Sequence, residues 1–200
     1  MNLIVISKEK CFTGEANWIN RLMDECDFIF HLRKPFLMEN EMENLLQHID
    51  RKHYRRIVLH DHFSLAPKFL LKGVHLNSRN PVTGTGGEYW SNCSISRSCH
   101  TLNEVMEYKQ QCNYVTLSPI FDSISKTGYK SGFSFELLKD AADKGIIDSK
   151  VVALGGIDCS NAASVIETGF GGVAVLGTVW NNSSLGEAIA ELKNLISKIQ

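Results

Sequence analysis

Short runs rich in Val, Ile, Leu and Phe alternate along this chain with longer stretches in which apolar residues return every three to four positions. The runs predict strands at Leu3–Ile6, Phe28–Leu32, Ile57–His60, Gly73–Leu76, Cys93–Ser96, Tyr114–Leu117, Val151–Leu154 and Gly172–Val175. Helical spacing fills most of the gaps, as with Leu45, Leu46 and Ile49, or Leu102, Val105 and Met106. A last helix carries Leu185, Ile189, Leu192 and Ile196 on one face. The exception is NSRNPVTGTGGEYW, beginning at Asn77, where Pro81 and a cluster of glycines predict a very short or absent helix. Strand–helix alternation of this kind builds a parallel sheet. Eight such units either close as a barrel or lie open and doubly wound. No Gly-x-Gly-x-x-Gly follows the first strand, so the expected fold is one compact (βα)8 TIM barrel spanning residues 1–200.

Composition narrows the partners. The 200 residues are 44% hydrophobic and 22% charged, enough to bury one substantial core. A formal net charge of −1 argues against nucleic-acid or membrane-surface binding, which calls for a concentrated cationic face. The apolar run in MNLIVISKEK is too short for a signal peptide or a membrane span, and a cytoplasmic protein is expected. Cys11, Cys26, Cys93, Cys99, Cys112 and Cys159 contain no Cys-x-x-Cys pair, which points to reduced thiols rather than zinc or a disulfide framework. Cys99 and His100 are neighbours in sequence, but successive residues in extended chain face opposite ways, so they make a poor nucleophile–base pair.

A barrel places its chemistry at the carboxyl ends of its strands. Gly155 and Gly156 follow the seventh predicted strand, and Leu176 and Gly177 the eighth. Bare backbone N–H groups there can hold a phosphate without a lysine, although tight loop packing also uses glycine. In FIFHLR, period two puts His31 and Arg33 on the face opposite Phe30 and Leu32, aimed at the barrel mouth. Arg33 is then a cation for a phosphate or carboxylate, or one half of a surface ion pair. Asp61 is a candidate Mg²⁺ ligand, or the N-cap of a helix starting near Phe63. His75 reads as a hydrogen-bonded histidine inside the barrel. Ser98 and His100 share parity, and His100 precedes Thr101, an N-cap with Glu104 three residues on. An imidazole at that junction can exchange protons near neutrality. The stretch SPIFDSISKTGYKSGF brings Ser123, Ser125 and Lys126 on a long loop able to cover a substrate.

Together, GVHL at 73–76, SRSCHTLNEV at 96–105, NYVTLSPIFDSISKTG at 113–128, and VVALGGID with GGVAVLGTVW near the end resemble the thiamine phosphate synthase and thiazole tautomerase (TenI-type) family over nearly the whole chain. The resemblance implies a barrel that binds thiazole phosphate at Gly155, Gly156 and Gly177. In the synthase branch a pyrimidine diphosphate ionises with Mg²⁺ and the thiazole nitrogen captures the cation. The Gln-x-Arg-x-Lys motif of that branch reads here His31, Arg33 and Pro35; its Asn-Asp pair reads His60-Asp61, and its second magnesium acid falls at or near Asn80. Ser123, Ser125 and Lys126 stand in for its pyrophosphate loop. The tautomerase branch moves one proton to aromatise thiazole phosphate carboxylate and needs no metal, with its histidine at His100 and with Arg33 and Lys126 as cations. Two missing anchors tilt the expectation to the tautomerase. The Mg²⁺-dependent synthase, with Asp61 as the metal ligand, is the runner-up, and a non-catalytic binder of thiamine intermediates is the third reading. Oligomeric state stays open.

Overall fold

The computed structural model describes residues 2–81, 92–121 and 132–200. Eight parallel strands close into a barrel in sequence order: β1 (Asn2–Ile6), β2 (Ile29–Leu32), β3 (Ile57–Leu59), β4 (Gly73–Leu76), β5 (Ser94–Cys99), β6 (Tyr114–Leu117), β7 (Val151–Leu154) and β8 (Gly172–Val175). The predicted (βα)8 barrel is therefore the fold. The fifth strand is displaced from its predicted Cys93–Ser96, because polar residues of SRSC continue the ladder with β6, Ser98 pairing with Thr116 and Cys99 with Leu117. Its hydrogen bonds need backbone, not apolar side chains. The predicted loss of the fourth helix concerns a segment that falls largely outside the described residues.

Among the described residues the α-helices are α1 (Glu15–Glu25), α2 (Glu39–Gln47), α3 (Leu65–Lys68), α4 (Leu102–Tyr108), α5 (Phe135–Asp143), α6 (Ala162–Glu167), α7 (Gly177–Trp180) and α8 (Leu185–Ile199). Their apolar faces cover the outward residues of the strands in one continuous core that includes Val5, Phe30, Leu32, Leu59, Val115, Ala153 and Val173. Leu192 and Leu195 of α8 are fully buried in it, each such side chain contributing about 1.5–3 kcal/mol. Trp180 ties the closure together: its ring meets Phe30 edge-on at 6.5 Å and its indole N–H donates to the Ile6 carbonyl at 2.6 Å.

Inside the barrel the same alternation gives two unlike halves. Ile4, Ile6, Val152 and Ala174 form a small apolar cluster with Tyr114, on the β7, β8 and β1 side. Facing it from β2 to β6 are the polar residues His31, His75, Ser96 and Thr116, all fully buried or nearly so. Gly73 permits the close approach of β4 and β5, since a Cβ there would lie 1.9 Å from the Ser94 carbonyl oxygen. Among the described residues, no helix is long and apolar enough to cross a membrane.

Candidate active site

A cavity of about 410 Å³ opens at the carboxyl ends of the strands. Its β7–β8 wall is backbone. Gly155 and Gly156 have φ of 100° and 64°, left-handed conformations that suit glycine, and a Cβ on Gly155 would meet Pro119 at 2.9 Å. Thr178 donates its hydroxyl to the Ile157 carbonyl at 2.6 Å, and Asn161 donates its amide to the Gly156 carbonyl at 2.8 Å. The first bond ties the β8 loop to the β7 loop, and the second holds the β7 loop in shape. Among the described residues the N–H groups of Gly156, Gly177 and Thr178 find no acceptor. Three fixed donors at one cavity wall make a cradle for an oxyanion. Leu176 lines the cavity beside them.

The opposite wall is made of side chains. His31, His60 and His75, from three successive strand ends, pack ring against ring with centroids 5.0, 5.0 and 4.3 Å apart. His31 Nδ1 lies 2.9 Å from His60 Nε2, and its Nε2 lies 2.6 Å from the Tyr114 hydroxyl. Ser96 gives its proton to the Val74 carbonyl, so it accepts from His75 Nδ1–H at 2.9 Å. His75 Nε2 then accepts from the Ser98 hydroxyl at 2.8 Å. Desolvation pushes all three imidazoles below the ordinary histidine range, helped by His75 beside His31 and His60 and, for His75, by Arg33 and Arg97; His75 falls to about 3. The trio is neutral. Burial also pushes the Tyr114 phenol upward, so it remains a neutral hydroxyl. His75 is thus the hydrogen-bonded barrel histidine that its sequence suggested. His31 has the predicted facing, but it is wholly buried below the mouth.

Arg33 does reach the cavity wall, and there it pairs with Glu9, which also lines it. The pair combines the two roles that sequence left open, a cation at the mouth and an ion pair. Lys34 is no substitute for the family's lysine. It is fully buried and turns toward α1, where its ammonium donates to Glu15 Oε1 at 2.6 Å. Asp61 caps nothing, since α3 begins after Ser64. Instead its Oδ1 accepts from Asn80 Nδ2 at 2.9 Å and faces Arg79 at 3.5 Å. A turn held by Asn77 Oδ1, which accepts the N–H groups of Arg79 and Asn80, fixes that arrangement. Asp61 Oδ2 is buried and, among the described residues, has no hydrogen-bond partner. A buried carboxylate oxygen left without a donor is what a cation would satisfy. One carboxylate next to an amide fits Mg²⁺, which takes few protein ligands and completes its shell with water and substrate phosphate oxygens. Arg79 and Asn77 line the cavity directly.

His100 stands on the same wall as Ser98, with its Nδ1 3.1 Å from the Ser118 carbonyl and 3.3 Å from the Ser118 hydroxyl. Thr101 caps α4 as predicted, accepting from the Glu104 N–H at 3.1 Å while Glu104 Oε2 accepts from the His100 and Thr101 N–H groups. The imidazole itself is therefore free of the cap. Cys99 points the other way into the core, where burial pushes its thiol up to about 12, so it is no nucleophile. His31, Arg33, Ser98, His100, Gly155, Gly156, Leu176 and Gly177 meet at one cavity, while Ser123, Ser125 and Lys126 lie outside the described residues. The sequence pattern alone assigns no role to His60, Arg79 or Glu9. His60 shares the inward parity of Val58 on β3, which is the signal that could have found it.

The chain was compared with known proteins. A family model described as thiamine monophosphate synthase matches residues 3–179. A protein named thiamine-phosphate synthase from Photorhabdus laumondii is 28% identical over 194 residues, covering 92% of this chain and 87% of the relative. A crystal structure of thiamine phosphate pyrophosphorylase from Bacteroides thetaiotaomicron superposes with a TM-score of 0.88 at 38% identity, covering 99% of this chain and 97% of the other. One from Pyrococcus furiosus, 22% identical over 99% of this chain and 96% of that one, has a TM-score of 0.80 and supports the fold. With a model match running from the first strand into α7, this chain belongs to the thiamine monophosphate synthase family.

Proposed function

We propose that the protein is a thiamine phosphate synthase, joining a pyrimidine-methyl diphosphate to thiazole phosphate with release of pyrophosphate. The observation that carries the reading is Asp61, just past β3 at the same end of the barrel as the glycine cradle: its Oδ1 meets Asn80 and Arg79, while its buried Oδ2 has, among the described residues, no hydrogen-bond partner. The relatives' names favour this transferase over the metal-free tautomerase toward which sequence alone leaned.

In this reading the amides of Gly156, Gly177 and Thr178 hold the phosphate of the thiazole and so fix its ring nitrogen in the cavity. Asp61, with Asn80, would hold Mg²⁺, which when bound neutralises charge on the diphosphate. Arg79 and Arg33 supply permanent cations for the departing diphosphate oxygens. In the metal-free protein the neutral histidine wall adds no charge that would compete with the developing pyrimidine-methyl cation. No proton has to move before the carbon–nitrogen bond forms, so the buried imidazoles need not titrate.

The tautomerase reading keeps one specific support. His100 lies at the cavity wall with its Nδ1 engaged by Ser118, which leaves Nε2 to exchange a proton with a bound thiazole. Purified protein supplied with both substrates separates the readings. Thiamine phosphate formed with Mg²⁺, and lost in Asp61→Asn, is the expected result. Metal-independent aromatisation of thiazole phosphate carboxylate, lost in His100→Asn, would replace it with the tautomerase. Binding of thiazole phosphate with neither turnover would make the protein a non-catalytic binder.

A further inference from the structure

The three inward histidines form a cluster that the proposed reaction does not use. One ring nitrogen from each lies within 4.8 Å of the others. The 5.0 Å ring spacings of His31 to His60 and to His75 match imidazoles on one face of a tetrahedral ion, and the stacked His60–His75 pair, 4.3 Å apart, has to open to join them. With metal–nitrogen bonds of about 2.0–2.1 Å, that arrangement puts ring centres about 5 Å apart. The outer partners are also those of a ligated histidine, whose second nitrogen donates to an oxygen. Tyr114 receives His31 Nε2 when Nδ1 serves as the ligand. Ser96, relayed to the Val74 carbonyl, already receives His75 Nδ1–H and leaves the lone pair on Nε2, facing Ser98 at the cavity wall.

We propose that His31, His60 and His75 bind a divalent transition-metal ion of the zinc type, in a site separate from the Asp61 carboxylate. Three neutral nitrogen ligands select a borderline ion such as Zn²⁺ or Co²⁺ over Mg²⁺, which prefers oxygen. The fourth position faces the cavity, since all three histidines line it. Binding requires His60 Nε2 and His31 Nδ1 to release their mutual hydrogen bond and Ser98 to rotate away from His75. The cations Arg33, Lys72, Arg79 and Arg97 act on the trio, so an anion in the cavity, such as pyrophosphate, should tighten the metal.

The test is titration of the full-length, chelator-treated protein with Co²⁺. A one-to-one visible absorption of nitrogen-ligated Co²⁺ should appear, without thiolate charge-transfer bands, and Zn²⁺ should displace it. His31→Gln and His60→Asn should each weaken Co²⁺ binding by more than about 100-fold and Tyr114→Phe by about 10-fold, the outer-partner range. Asp24→Asn, in a second group with Asp50 and His53, should leave the signal unchanged. Should the histidine variants fail to fold, anomalous diffraction from zinc-soaked wild-type crystals decides. Density among the three rings is the expected result. Zinc elsewhere, thiolate bands, or affinity untouched by the histidine variants would overturn the assignment.

Discussion

The two walls of the cavity recognise by different means. Beside β7 and β8 the chain presents main-chain N–H groups held by glycine geometry and two side-chain bonds. From β2 to β5 it presents a buried histidine network, bordered by Arg33, Arg79 and Asp61. A backbone cradle depends on φ and ψ alone and tolerates many changes nearby. A side-chain wall changes its chemistry with each substitution. On the synthase reading, the phosphate end of the site would persist while the diphosphate end is rebuilt, at His31, His60 and Asn80 in this chain.

The largest expected contrast between the walls is with acid. In metal-free protein the trio is neutral when folded, with His75 held down to about 3 against an ordinary 6.5. Below pH 6.5 the unfolded chain therefore binds more protons than the folded one, so stability is full above that value and falls as pH drops toward 3. The expected slope is about 1.4 kcal/mol per pH unit for each buried imidazole. Urea unfolding from pH 7 to pH 5 should show the loss, and His60→Asn should remove about a third of the slope if the variant keeps the fold. A flat profile would mean that the histidine wall is not a dry, neutral network.

Next comes Asp61→Asn, which removes the charge but keeps the shape. We expect about a 10³-fold loss in thiamine phosphate formation, equivalent to about 4 kcal/mol, with thiazole phosphate affinity little changed. An affinity loss as large as the rate loss would erase the division of labour between the walls. Gly155→Val strikes the other wall. Its Cβ would press on Pro119 at 2.9 Å from a left-handed backbone, so thermal unfolding should report a loss of about 2–3 kcal/mol and KM for thiazole phosphate should rise. Thr101→Ala is the mildest: it removes the cap of α4 behind His100 at a cost of about 1 kcal/mol, with synthase turnover nearly intact.

The backbone wall was the more legible of the two in the sequence. Gly155, Gly156 and Gly177 stand at the ends of the two strongest apolar runs, and glycine at a strand end announces its conformational role by its identity. The side-chain wall was legible in parity but not in depth. Period two gave the facing of His31 and Arg33, yet only the register, Phe30 opposite Ile57 and Leu59 opposite Val74, sets how deep each inward residue lies. It drops His31 into the barrel, level with the rings of His60 and His75, and leaves Arg33 at the rim. Lys34 and Glu15 met for a related reason, since their ion pair joins segments 19 residues apart that no local pattern connects. The apolar pattern ends the fifth strand inside polar SRSC because hydrophobicity marks core-facing residues, whereas ladder bonds do not depend on it.

The synthase reading stands most directly on one assay: pyrophosphate and thiamine phosphate measured together from the two substrates, with and without Mg²⁺. We predict one-to-one formation of both that requires the metal and collapses in Asp61→Asn. Full product without a divalent ion, or none at all from a protein that still binds thiazole phosphate, would contradict it.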